Sequence, residues 1–269
     1  MVKKYLMITI LFLTATSQAK ILVISDIDDT LKVTNVRSTM GAASSAVDEY
    51  SRFAGMSELF QEIKQAHPDT EFYYVSLAPQ FWMSHLHREF LDDNHFPVTA
   101  LYTNQGFEQD PDLKQKVIRK ILSAEQADQI IYFGDNGQFD PLVYQQMTKE
   151  FPDIPARTYI RDAYSVRSSE NVNSARDGQI GFVTAVEVAL DLIQNDLLPA
   201  PMYSAIENAV YKSLQNDDGY DTFGLMVFPW WQDCRDFVWR WNVTQPSEKF
   251  LRIKKAITSR CDLVDTAKN

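Results

Sequence analysis

Five short runs rich in β-branched and aromatic residues, with stretches of helical apolar spacing between them, leave this chain few folds to choose from. Ile21–Ser25, Phe72–Ser76, Val98–Tyr102, Ile130–Phe133 and Arg157–Ile160 read as strands. Between them, Ser57–Ala66 carries Leu59, Phe60 and Ile63 on one helical face, and Phe81–Leu91 and Leu113–Leu122 repeat the pattern. Asp140-Pro141 reads as an N-cap with proline at the first helical position. Strands that alternate with helices are joined by crossovers, so the expected fold is α/β: a three-layer α/β/α sandwich on a mostly parallel, Rossmann-like sheet. The character changes after about Arg167. Ser165–Gly178 is polar, Gly181–Leu192 and Met202–Leu214 read as helices, and a Trp-rich segment follows from Phe228 to Trp241. That segment is expected to be a helix packed on the domain, in preference to a set of aromatics dipping into a membrane near Arg235 and Arg240. The expected division is an α/β domain over 20–165 and a helical C-terminal extension over 166–269, packed on or beside it.

The first residues follow a different rule. Met-Val-Lys-Lys, an apolar stretch from Tyr5 to Leu13, and the small pair Ser17 and Ala19 compose a signal peptide over 1–19, with the mature chain starting at Lys20. Loss of Lys3 and Lys4 would take the net charge from -10 to -12. The expected destination is the periplasm or the outside of the cell. In an oxidising compartment Cys234 and Cys261 are a candidate disulfide, and Asn242-Val243-Thr244 matches a glycosylation acceptor that matters only in a eukaryotic secretory route. A net charge of -10 argues against nucleic acid as a partner, and nothing after the leader is long and apolar enough for a transmembrane helix. A hydrophobic fraction of 45% excludes intrinsic disorder.

The chemistry gathers at strand ends. Asp26-Ile27-Asp28-Asp29-Thr30 puts three carboxylates at the exit of the first apolar strand, where open α/β sheets bind their ligands. Carboxylates this close raise one another's pKa unless a cation lies among them, and a hard-oxygen set points to magnesium. Ser76 ends the second strand, where its hydroxyl and N–H suit a phosphate oxygen. Lys114 opens a helix, where an ammonium suits phosphate charge; Lys116 is its rival. Gly134-Asp135-Asn136-Gly137-Gln138-Phe139-Asp140 leaves the fourth strand with a second pair of carboxylates. His67, His85, His87 and His95 show no zinc-like arrangement and read as surface or packing residues.

In this order the motifs resemble those of the haloacid-dehalogenase-like phosphohydrolases: Asp-x-Asp-x-Thr, a strand-end Ser or Thr, a Lys, and Gly-Asp with a further Asp. The resemblance is closer to the actin-patch type of phosphatidate phosphatase, through Ser25–Thr34, Ala54–Phe60, Tyr74–Ser76, Gly134–Pro141 and Tyr159–Asp162. It covers roughly Ile21 to Asp162. It departs at Leu77-Ala78-Pro79-Gln80, where that family usually has Ser-Pro-Trp, at Asn136, where it usually has Ser, and throughout the chain after about Arg167. The resemblance implies that Asp26 is a nucleophile forming an aspartyl-phosphate and that Asp28 is general acid and then general base. It further implies that Mg2+ is held by Asp26, the main-chain carbonyl of Asp28 and Asp135, and that Ser76 and Lys114 hold the phosphoryl oxygens. The intervals between motifs leave no room for a large cap, so the expected site is open and suits a phospholipid presented at an interface. The implied reaction is phosphatidate to diacylglycerol and phosphate. Other readings are a phosphomonoesterase for a soluble metabolite or phosphoprotein, and a non-catalytic lipid- or partner-binding protein on the same fold.

Overall fold

The structure, a computed structural model, describes residues 19–37, 51–104, 110, 112–168, 170–216 and 225–261. Of the expected signal peptide, all but Ala19 lies outside the described residues. In chain order the elements are β1 (Ile21–Ser25), β2 (Arg52–Phe53), α1 (Met56–Ala66), β3 (Glu71–Pro79), α2 (Gln80–Asp93), β4 (Ala100–Asn104), α3 (Leu113–Ala124) and β5 (Gln129–Asp135). They continue with α4 (Asp140–Glu150), β6 (Ala156–Arg161), β7 (Ile180–Phe182), α5 (Ala185–Gln194), a single 3-10 turn (Ala200–Met202), α6 (Tyr203–Asn216), β8 (Leu225–Met226) and α7 (Glu248–Cys261).

Six strands form one sheet in the order β4-β3-β1-β5-β6-β7, and every pairing is parallel. β1 lies at the centre and the chain winds outward from it in both directions, so the crevice beyond its carboxyl end is the switch point of the topology. Side-chain alternation in β1 feeds two cores. Ile21 and Val23 join Leu59, Phe60 and Ile63 of α1 with α5, α6 and α7 on one face, whereas Leu22 and Ile24 join Ile118 and Ile121 of α3 and Val143 and Met147 of α4 on the other. Phe60 is the hub of the first core: its ring centroid lies 5.7 Å from Phe72, 6.4 Å from Tyr74, 5.6 Å from Phe96 and 4.8 Å from Phe133. Just before α1, Gly55 has φ +81, and a Cβ there would lie 2.6 Å from Val210 Cγ2 of α6, so only glycine lets these helices meet.

Four expectations about elements are corrected. The third strand of the main sheet in chain order begins at Ala100, two residues beyond the expected Val98, and Asn104 ends it. Gly181 and Phe182, expected to open a helix, belong with Ile180 to edge strand β7, where Gly181 pairs with Ile160; the helix starts after Thr184, which forms a capping box with Glu187. Asp140 is not an N-cap: α4 begins with it, and its side chain turns into the site. The Trp-rich segment Phe228–Trp241 is not a helix but irregular chain, with Cys234, Phe237 and Trp241 buried in the first core. Its aromatic rings pack against one another and on Phe250 of α7. Cys234 and Cys261 form a disulfide that fastens α7 to this segment. Residues after 166 are thus helical through α5, α6 and α7 and also supply an edge strand to the main sheet. A small parallel pairing of β2 with β8 adds a second tie between the loop after β1 and the C-terminal part.

Among the described residues, β2 and α1 are the elements between β1 and β3, and α2 and β4 those between β3 and α3. None of the described helices is long and apolar enough to cross a membrane.

Candidate active site

β1 delivers Asp26 to the switch point, where its N–H still pairs with the Phe133 carbonyl at 2.9 Å. The side chain is buried, accepts a bond from Thr30 Oγ1 at 3.3 Å and takes Lys114 Nζ on Oδ1 at 2.8 Å. The same ammonium, 2% exposed, also donates to Asp140 Oδ1. Lys116 is on the outer side of α3 with Asp110, so the lysine of the site is Lys114. Asp140 Oδ2 in turn accepts the Asp135 N–H at 3.3 Å. This contact depends on Gly134, where a Cβ would come within 2.6 Å of the Asp140 carboxylate.

Asp26, Asp135 and Asp140 bring ligand oxygens within 4.8 Å of one another. Asp135 Oδ1 is held by the Gly137 N–H at 2.6 Å, whereas Oδ2 is buried without a hydrogen-bond partner. Three buried carboxylates face one ammonium, an excess of negative charge that a divalent cation with oxygen preference would balance. Burial pushes Asp26 up to about 8 despite the opposing pull of Lys114. Burial, then Asp140 and Asp26, push Asp135 well above the carboxylate range. Burial alone would lower Lys114, but Asp140 and Asp26 outweigh it and hold the ammonium above its ordinary value.

Asp28 sits at the mouth with its side chain 14% exposed. Oδ1 accepts from Thr34 Oγ1 at 3.2 Å, and Oδ2 faces His87 Nε2 at 3.3 Å and Ser76 Oγ at 3.5 Å. Desolvation, the largest influence, would raise this carboxyl; His87, Lys32 and Thr34 together reverse it and leave Asp28 below its ordinary value. His87, expected as a surface or packing residue, is fully buried on α2 and touches both Asp28 and Ser76, the latter at 3.1 Å. No spacing rule marks it, because the contact forms only when α2 folds back beside β3. The remaining histidines do not join these contacts: His85 pairs with Glu89 on the surface, and His67 bonds the Leu197 carbonyl.

Asp29, the third acid of the run, is structural. With φ at 55 it turns away from the site, and its buried carboxylate gathers the N–H groups of Thr34, Asn35 and Val36 at 2.9, 2.7 and 2.8 Å and the Tyr164 hydroxyl at 2.5 Å. Asn136 braces the chain after β6 in a similar way, with Oδ1 accepting from Ala163 and Tyr164 N–H at 3.1 and 2.9 Å and Nδ2 donating to the Tyr164 carbonyl at 2.6 Å. An amide carries donor and acceptor at once, which serine in its place could do over a shorter reach only. Arg161 lies buried between the rings of Phe53 and Phe182, 3.8 and 4.6 Å from their centroids, and donates to the carbonyls of Thr30 and Val183. The loop that carries the acids is thereby tied to β6 and β7.

The residues expected at the site thus converge: Asp26, Lys114 and Asp135 in the buried cluster, Asp28 and Ser76 beside it. Asp140 and His87 complete the arrangement. Comparison with protein families matches residues 21–162 to the family described as "Phosphatidate phosphatase APP1, catalytic domain". Comparison with curated proteins gives no match. Among solved structures, "Structure of Pnkp1/Rnl/Hen1 complex" is similar at 17% identity and TM-score 0.38, over 53% of this chain and 46% of that one. "Structure of the Pnkp1/Rnl/Hen1 RNA repair complex" is similar at 17% identity and TM-score 0.39, over 54% and 43%. The matched part spans less than half the length of either solved chain.

Proposed function

The chain belongs to the family of the APP1 phosphatidate phosphatase catalytic domain, a family of phosphatases, and from that premise we propose that it is a Mg2+-dependent phosphohydrolase with an aspartyl-phosphate intermediate and phosphatidate as its substrate. The observation that carries this reading is the unpartnered, buried Oδ2 of Asp135 beside Asp26 and Asp140, with Lys114, among the described residues, the one cation bonded to the latter two. Such a cluster is costly to bury without a dication. Asp26, Asp135 and the main-chain carbonyl of Asp28 would hold Mg2+, with Asp140 next to them. Charge compensation for the phosphoryl oxygens is what Mg2+ would supply when bound there.

The chain's own residues divide the work. Lys114 fixes the Asp26 carboxylate by Oδ1, and Oδ2, which among the described residues accepts only the long bond from Thr30 Oγ1 at 3.3 Å, is the oxygen that attacks phosphorus in line. As the Asp26 O–P bond forms, the bond from phosphorus to the ester oxygen breaks; the negative charge of the bound phosphoryl group works against the pull of His87 and raises Asp28, so that the carboxyl takes up a proton from water on substrate binding and gives it to that leaving oxygen. The leaving alcohol is diacylglycerol. Asp28, now ionised, takes a proton from water as the water oxygen attacks phosphorus, and the Asp26 O–P bond breaks to release inorganic phosphate. Ser76 Oγ and the Lys114 ammonium hold phosphoryl oxygens through both steps.

A phospholipid whose phosphate is presented at an interface suits a site that, among the described residues, has only β2 and α1 between β1 and β3 and only α2 and β4 between β3 and α3. The disulfide between Cys234 and Cys261, together with the leader-like residues 1–19, supports export to the periplasm or the exterior. The test is phosphate release by residues 20–269, with and without Mg2+, from phosphatidate in mixed micelles and from a soluble aryl phosphate, with Asp26→Asn as the blank. Mg2+-dependent release from the lipid supports the whole reading. Release from the soluble ester alone removes the lipid and keeps the phosphatase; release from neither removes both.

A further inference from the structure

His87 lies outside every motif that the reaction above uses, yet it is fully buried and its Nε2 is 3.3 Å from Asp28 Oδ2 and 3.1 Å from Ser76 Oγ. Its other ring nitrogen, Nδ1, is buried without a hydrogen-bond partner. A proton on Nδ1 alone would leave a buried donor unsatisfied and turn the Nε2 lone pair toward a carboxylate, so the arrangement calls for Nε2–H facing Asp28. The carboxylate is then gripped at both ends, by Thr34 Oγ1 on Oδ1 at 3.2 Å and by His87 on Oδ2. Ser76 Oγ is anchored separately by the Ala78 N–H at 3.1 Å. A carboxyl that must deliver a proton to one oxygen and collect it from another works only at a fixed angle to the reacting phosphorus, and misplacement of about 1 Å costs about 100-fold.

We propose that His87 is a positioning residue for proton transfer: from α2 it holds the Asp28 carboxylate at the angle required for both half-reactions and keeps Ser76 registered to it. The inference rests on the aspartyl-phosphate reading. It has a consequence that a packing role lacks. An alkyl leaving group needs the proton of Asp28, whereas a nitrophenolate leaves without it, and hydrolysis of the intermediate needs Asp28 as base whichever ester formed it.

The experiment is rapid-mixing kinetics of wild type, His87→Leu and His87→Gln, with Mg2+, on phosphatidate in mixed micelles and on 4-nitrophenyl phosphate. His87→Leu keeps the bulk and removes the donor; His87→Gln returns an N–H. The expected result for His87→Leu is an undiminished first burst of nitrophenolate followed by a steady rate lowered about 10- to 100-fold, with no burst and a comparable loss on the lipid. His87→Gln is expected to recover a large part of both. An equal slowing of burst and steady rate on the aryl ester, with or without recovery in His87→Gln, overturns the role, as does unchanged turnover of the lipid. Should His87→Leu fail to fold, His87→Gln and His87→Asn decide alone: equal activity in the two overturns the proposal, because only glutamine reaches as far as Nε2. A wild type that turns over neither ester sinks the phosphatase reading and the role of His87 with it, an outcome distinct from every failure confined to the variants.

Discussion

Lys114 is the residue on which the site balances, since among the described residues it alone pairs with Asp26 and Asp140 while itself almost inaccessible to water. Lys114→Met should abolish turnover and, with Mg2+ chelated, destabilise the fold by about 3–5 kcal/mol, the usual cost of leaving buried charge unpaired. Lys116→Met should change neither. Denaturant melts and activity assays on the two variants check the assignment. The acids bear separately on pH. Asp26 and Asp162 are each raised to about 8 in the folded chain, chiefly by burial, against an ordinary value of 3.8. Between those limits the folded state binds more protons than the unfolded one, so the metal-free protein should lose stability as pH rises from about 5 to about 8. Saturating Mg2+ should remove the part due to Asp26 and Asp135, and Asp162→Asn a further part. Thermal melts at a series of pH values, with chelator and with Mg2+, check this; a metal-free melting temperature that rises over the window contradicts it. At this scale the sequence exposes most of the chemistry. Asp26, Asp28, Lys114 and Asp135 each stand at or just past a strand or helix end, where local order alone announces them; Ser76, expected to end its strand, lies inside β3, which runs on to Pro79 past a shift in its register with β4. Asp140 is hidden by its proline, which makes it look like a cap. His87 is hidden because its partners are 11 and 59 residues away in sequence and meet it only across the folded α2–β3 pair. Asp29 looks like a member of the acidic set, and only its backbone turn shows that it serves the loop.

The elements are legible where one face repeats. Leu59, Phe60 and Ile63 mark α1, and α1 is a helix because that face closes on the sheet through Phe60. Phe60→Ala should cost about 3–5 kcal/mol in denaturant melts while leaving an intact disulfide and, below the melting transition, turnover within a few-fold of wild type. A loss under about 1 kcal/mol would mean that the ring cluster is not the keystone of this core. β7 escapes sequence reading for a physical reason: three residues with a glycine in the middle, Ile180–Phe182, carry no period of their own and become a strand only by pairing with β6. The Thr184-x-x-Glu187 capping box stands in the sequence as the true start of α5. The Trp-rich segment misleads in the opposite sense, since its apolar residues suggest a helix. Buried Phe237 and Trp241 instead stack on one another, Trp239 packs on Phe250 of α7, and Trp239 Nε1 donates to the Trp241 carbonyl at 2.6 Å.

At the scale of the whole molecule, the part of the chain beyond the family match is built into the phosphatase unit. Trp231 stacks on Tyr164, the residue that holds Asp29, with centroids 5.3 Å apart, and Asp233 N–H bonds the Ala163 carbonyl at 3.0 Å. Immediately after these contacts, the disulfide joins Cys234 to Cys261, 27 residues further on, and so fastens α7 beside them. Its removal in Cys234→Ser/Cys261→Ser should cost about 2–4 kcal/mol. Because Tyr164 links the segment to the acid-bearing loop, the double variant should also weaken Mg2+ binding, which calorimetry would register; unchanged affinity would mean that the C-terminal part is energetically separate from the site. The layered fold and its switch point can be read from alternating strands and helices, whereas the fastening of the last hundred or so residues cannot, since it consists of irregular chain and long-range contacts. The reaction turns on the covalent step at Asp26. Acid quenching of the wild-type protein during turnover of a phosphomonoester with Mg2+, followed by mass spectrometry of its peptides, should find phosphate joined to the Asp26 carboxyl as an acyl phosphate, absent in Asp26→Asn and accumulated in Asp28→Asn with an aryl phosphate. Sustained turnover with no phosphorylated peptide, together with an active Asp26→Asn, would contradict it.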